Sequence, residues 1–167
     1  MDASAHKGTP VGNKTSSAYA PPELARRKRS GAQLEQAEFS FDVWSLGVIL
    51  LELCTGRTLF AQDTSNDELI NEGDRQRLYA WEVISEAELD LVFAASDASF
   101  PAGEDGQQII SDAKQLIRRC LQGDPAKRPT VNQILGHRFL KSDAEAPIEL
   151  QPERFHRLIE AKEKDSV

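Results

Sequence analysis

Residues 39–56, FSFDVWSLGVILLELCTG, form the longest apolar run in the chain. Between Val43 and Cys54 only Ser45, Gly47 and Glu52 interrupt the apolar residues. A surface helix carries one apolar stripe, whereas this segment is apolar nearly all round, which predicts a buried central helix over about 41–55. Ser40 is placed to cap its start, Asp42 falls in the first turn, where a carboxylate suits unpaired backbone N–H groups, and Gly56 supplies the stop. Val48–Leu51 alone would also suit a buried strand; the length of the run and its end signals favour a helix. A membrane span needs about 18 apolar residues. This run is shorter and contains Glu52, so it reads as the centre of a soluble core with no membrane partner.

Around that centre, 167 residues suffice for one domain or part of a larger one, and 40% hydrophobic residues suffice for a core. The net charge of −7 gives no reason to expect nucleic acid. Cys54 and Cys120 both sit in apolar helical patterns and read as small core residues, so nothing implies an oxidising compartment. Residues 1–18 are polar, broken by Gly8, Pro10 and Gly12, and lack the apolar centre of a secretion signal. The expected location is intracellular, in the cytoplasm.

Downstream of that loop, Pro21-Pro22 suits the first turn of a short helix over Pro22–Arg27. The run Arg26-Arg27-Lys28-Arg29 is either a phosphate-binding or nuclear-targeting patch or, as is favoured, a solvated loop of charges. Arg57–Asn66 reads as a polar connector anchored by Leu59 and Phe60. Asp67–Ile84 reads as helix, broken near Gly73. Ser85 caps a further helix, Glu86–Ala95, in a capping-box pattern with Glu88. Ser99–Gly106 is a loop, and Gln107–Leu121 is a strongly amphipathic helix ended by Gly123-Asp124-Pro125. Thr130 caps a short helix with Val131, Ile134 and Leu135 facing inward. Beyond a linker, Pro152–Lys164 suits a last charged helix with Phe155, Leu158 and Ile159 on one side. No segment alternates with the period of a strand, so the chain reads as all-α. The three histidines fall in no metal-ligand spacing, and no nucleophile elbow or phosphate-binding glycine loop is present.

Three separated stretches resemble the later part of a eukaryotic-type protein kinase domain. Thr15-Ser16-Ser17-Ala18-Tyr19-Ala20-Pro21-Pro22-Glu23 is similar to the segment ending in the family's Ala-Pro-Glu, with Pro21 in place of alanine. Asp42-Val43-Trp44-Ser45-Leu46-Gly47 resembles its Asp-x-Trp-Ser-x-Gly. Cys120-Leu121-Gln122-Gly123-Asp124-Pro125-Ala126-Lys127-Arg128-Pro129-Thr130 resembles its closing Asp-Pro-x-x-Arg-Pro-Thr, and Ile134–Leu140 continues the similarity. The resemblance implies a mostly α fold, the helical C-terminal lobe of a kinase-like domain. Residues 1–18 would be part of an activation-segment-like loop, 19–140 the helical domain, and 141–167 a linker and charged tail.

By that resemblance Glu23 forms a buried ion pair with Arg128, and Asp42 holds the backbone of a catalytic loop. Trp44 packs beneath the activation segment, while Ser16 and Tyr19 lie in the loop under a protein substrate. Serine at position 16, where the family usually has threonine, points to Ser/Thr specificity. The family uses ATP and Mg²⁺ through a glycine-rich loop, a strand lysine paired with a helix glutamate, a catalytic-loop aspartate and asparagine, and the aspartate of Asp-Phe-Gly. None of these occurs in this sequence. His137-Arg138-Phe139 lacks the catalytic aspartate, and Asp2 has no expected metal role. The expectation is therefore no catalytic, cofactor-binding or metal-binding residue in this chain. It would be a fragment or truncated form of a Ser/Thr protein kinase, inactive alone and pseudokinase-like. It would meet a protein substrate or partner at the activation-segment face and associate through exposed lobe surface. A non-catalytic binding module derived from a kinase lobe, and an unrelated helical interaction protein, are the alternatives.

Overall fold

The computed structural model describes residues 18–31, 38–63, 65, 68–96 and 100–141. Residues 1–17 of the loop expected over 1–18, Ser16 among them, and the helix expected over Pro152–Lys164 lie outside the described residues. The rest is mostly helical. Helix α1 is Pro22–Arg29, α2 Phe39–Thr55, α3 Glu72–Tyr79, α4 Glu86–Ala94, α5 Glu104–Cys120 and α6 Val131–Leu135. Single 3-10 turns at Pro125–Lys127 and Arg138–Leu140 flank α6. Gln62–Asp63 (β1) and Glu68–Leu69 (β2) pair antiparallel, Gln62 opposite Leu69, a two-residue ladder the all-α reading lacked.

The centre is α2 packed against α5. Gly47 lets them approach: a Cβ there would lie 2.7 Å from Cys120 Cβ and 2.9 Å from Leu121 Cδ2. Val43, Trp44, Val48, Leu51 and Cys54 of α2 join Ala113, Leu116, Ile117 and Cys120 of α5 in one core. Trp81 fills the space beside them, edge-on to Trp44 at 5.4 Å, with its indole N–H donating to the Leu121 carbonyl at 2.9 Å. Gly56 adopts φ 68°, the left-handed conformation of a helix stop, and its N–H closes on the Glu52 carbonyl at 2.7 Å.

Several local expectations change. Ser40 does not cap α2: the helix starts earlier, with Glu38 in the capping position, and the Ser40 hydroxyl donates to the Glu38 carboxylate. Nor is α2 buried all round. Phe39, Ile49 and Leu53 are exposed, Leu53 by 75%, and with Asp42 and half-buried Leu46 they recur every three or four residues along one outward stripe.

Helix α1 runs on to Arg29, so the basic run is helix rather than loop. Its cations occupy the last turn, where they suit the carbonyl end of the helix. Gly73 breaks nothing; it sits in the first turn of α3, and residues 81–85 are irregular instead of helical. Helix α5 begins at Glu104 rather than Gln107. Gly106 is inside it because a Cβ would meet the Pro101 carbonyl oxygen at 1.7 Å.

Ser85 Oγ accepts from the Glu88 N–H at 3.1 Å, but the capping box is only half formed because the Glu88 carboxylate turns to Arg77. Thr130 and Gln133 make a complete one. Of the residues expected to face inward from α6, only Ile134 is buried; Val131 and Leu135 are exposed, since a helix of five residues turns one narrow face to the core.

Candidate functional site

Two distant residues of the expected site meet. Glu23 in the first turn of α1 and Arg128 after the 3-10 turn, 105 residues apart, form a forked ion pair. The two guanidinium nitrogens lie 2.6 and 2.7 Å from the two carboxylate oxygens. The Arg128 side chain is 1% exposed and that of Glu23 14%. A buried guanidinium is tolerated only if its donors are satisfied. Here Nε donates to the Gln122 carbonyl at 2.8 Å, one terminal nitrogen also donates to the Ser40 carbonyl at 2.9 Å, and the plane lies 5.2 Å from the Trp44 ring centre. One side chain thus ties three chain segments together: α1, the start of α2 and the loop after α5. The diprolyl start fixes φ ahead of Glu23, and Asp124 accepts from the Ala126 N–H to form the turn that aims Arg128 inward.

Tyr19, two residues before the prolines, is half-buried and its hydroxyl donates to Glu52 Oε2 at 3.0 Å. Ser45 Oγ lies 3.0 Å from the Tyr19 carbonyl and 3.1 Å from that of Phe41, with one proton to share. The segment leading into α1 is therefore fastened to α2 at both its backbone and its ring. Glu52 and Ser45 were not singled out as site residues. The signal was there, since they are two of the three interruptions in the apolar run.

Trp44 is fully buried beneath these contacts, and its indole N–H finds no partner among the described residues. Asp42 stands apart, exposed on α2 without a partner among the described residues. The basic run also divides. Arg26 donates to the Tyr79 and Trp81 carbonyls at 2.7 and 3.0 Å, and Arg29 lies over the Tyr79 ring at 4.8 Å, so these two dock α1 onto α3.

His137, 6% exposed, closes the lower end of the lobe. Its Nδ1 accepts from the Phe139 N–H at 3.3 Å, so Nε2 carries the proton and donates to Gln115 Oε1 at 3.0 Å. Burial, aided by the nearby Arg119, pushes its pKa below the usual value. Burial also raises the Cys54 thiol, and that of Cys120 to about 11. Among the described residues no three His, Cys, Asp or Glu side chains converge to hold a metal ion. No helix there is long and apolar enough to cross a membrane. Among the described residues the arrangement fastens the segment entering α1 to α2 and to the turn after α5.

Comparison with known proteins agrees with the sequence motifs. The protein kinase domain family matches residues 3–140. The "Probable serine/threonine-protein kinase KCC4" of Saccharomyces cerevisiae is 32% identical over 74% of this chain and 9% of its own length. The "Probable serine/threonine-protein kinase fhkD" of Dictyostelium discoideum is 28% identical over 92% of this chain and 19% of its own. The twitchin kinase region of C. elegans is 21% identical over 89% of this chain and 21% of that one, with a TM-score of 0.45, a likeness too low to carry an argument. The chain spans about a tenth to a quarter of the length of the curated relatives it matches.

Proposed function

Because the chain belongs to the protein kinase domain family, we propose that it forms the helical, substrate-facing lobe of an ATP-dependent serine/threonine protein kinase. The reaction of the complete domain would be phosphoryl transfer from ATP to a protein hydroxyl. The observation that carries this reading is the Glu23–Arg128 fork with the Tyr19–Glu52 hydrogen bond beside it. Together they hold the segment entering α1 against the core, as a platform under a protein substrate requires. Positioning of this kind is much of what a kinase contributes to phosphoryl transfer.

The residues described do not fit Mg²⁺-ATP. Asp42 is exposed, and among the described residues no further carboxylates converge on it. These 167 residues alone are proposed to transfer no phosphoryl group. The apolar stripe Phe39, Leu46, Ile49 and Leu53 on α2 favours a second element of the same reading. That face is covered by the remainder of a kinase domain when joined to it, and otherwise promotes association between chains. A non-catalytic binding module would use the same face for a different protein.

The test is a chimera in which residues 3–140 replace the matching segment of an active relative. The expected result is phosphorylation of serine or threonine peptides, reduced by Glu23→Gln. A chimera with a cooperative thermal melt and no activity would overturn the proposal.

A further inference from the structure

Helices α4 and α5 enclose a groove of about 420 Å³ that the kinase reading does not use. Its α5 wall is polar. Ser111, Lys114, Arg118 and Gln122 recur every three or four residues and so share one face, with Arg119 beside them. Leu89 of α4, which is buried, forms the opposite floor, and Glu86 stands at the rim in the first turn of α4. Lys114 is already paired with Asp90 at 2.7 Å. Arg118 and Arg119 are exposed, and neither guanidinium has an ion pair or hydrogen bond among the described residues. That is unexpected in a chain with 27 acidic residues against 20 basic. Their place in the last turn of α5 suits the helix dipole, which explains cations there but not two unpaired guanidinium groups on a concave wall whose one carboxylate, Glu86, stands at the rim.

We propose that this groove binds a phosphoserine- or phosphothreonine-bearing segment of a partner protein. Arg118 and Arg119 would take the phosphate oxygens. A guanidinium presents paired donors that match phosphate oxygens, and a phosphate carries nearly two charges at neutral pH, where a carboxylate carries one. Ser111 supplies a further hydroxyl donor on the same wall, while the Gln122 amide donates to the Arg118 carbonyl at 3.0 Å. The proposal is independent of the kinase reading: a protein without phosphotransfer activity would bind the segment equally.

The test is fluorescence anisotropy of the full chain with a short labelled peptide carrying one phosphoserine, beside its unphosphorylated twin. Inorganic phosphate and a single-stranded oligonucleotide serve as competitors. Loss of two charged hydrogen bonds predicts that Arg118→Gln/Arg119→Gln weakens phosphopeptide binding at least about tenfold. Arg27→Gln, which removes a surface cation elsewhere, should change it less than about twofold. The unphosphorylated peptide should bind at least about tenfold more weakly. Equal binding of the two peptides, equal loss in Arg27→Gln, tighter binding of the oligonucleotide, or no binding by a chain that melts cooperatively would each overturn the proposal.

Discussion

Replacing Arg128 by methionine keeps most of the side-chain volume and removes the fork. Three groups lose their donor at once: the Glu23 carboxylate at 2.6 and 2.7 Å, the Gln122 carbonyl at 2.8 Å and the Ser40 carbonyl at 2.9 Å. A buried pair broken by removal of one partner costs about 3–5 kcal/mol, because the stranded charge remains in a poorly solvated site. With total stability of small domains at about 5–15 kcal/mol, Arg128→Met brings this one close to unfolding at 25 °C. Glu23→Gln is milder. Arg128 keeps its two carbonyl acceptors and the Trp44 ring, and the loss is that of a charged hydrogen bond, about 1.5–3 kcal/mol. In the double variant the Glu23 charge is no longer stranded, so the total loss falls short of the sum by about 1–3 kcal/mol. Urea unfolding followed by circular dichroism measures all four corners of the cycle. Additivity within about 0.5 kcal/mol, or a loss below about 1 kcal/mol for Arg128→Met, would refute the idea that this pair joins α1 to the end of α5.

Other consequences follow from packing, protonation and exposure. Gly47→Ala places a Cβ 2.7 Å from Cys120 Cβ and should cost about 1–3 kcal/mol of stability, read as a lower urea midpoint. Gly73→Ala, with nothing within 4 Å, should gain about 0.5–1 kcal/mol. His137 is held neutral by burial, so its folded pKa lies below its unfolded one, near 6.5. Its contribution is complete above that pH and lost as pH falls through the folded value. The slope of stability against pH just below about 6.5 should therefore flatten in His137→Gln. Cys120, fully buried with its thiol raised to about 11, should resist Ellman's reagent at neutral pH until the chain is unfolded. Leu53→Lys on the outward stripe of α2 should lower the average mass in sedimentation; unchanged mass would show that the stripe does not drive association.

Much of the lobe was legible because its signals are local. The apolar run predicted α2, a glycine stop ended it, and Ser85 and Thr130 marked helix starts by bonds that span three residues. Motif resemblance brought Glu23 and Arg128 together, which no local pattern could do across 105 residues. Burial was less legible. Composition alone could not tell that one stripe of α2 faces outward, because an outward-facing apolar residue and one in a core look alike in sequence. The β1–β2 ladder was invisible because two residues are too few to show alternation. The roles of Arg26, whose guanidinium seeks carbonyls 53 and 55 residues away, and of Glu52, which takes the Tyr19 hydroxyl, depend on tertiary neighbours.

The most direct test of the proposed division of labour is phosphate incorporation. The purified 167-residue chain, shown to melt cooperatively, is incubated with labelled ATP, Mg²⁺ and a basic protein substrate, beside the chimera carrying its residues 3–140. The expected result is no turnover above a matched blank for the chain alone and clear turnover for the chimera. Turnover by the chain alone would contradict the assignment of these residues to substrate positioning without a nucleotide site.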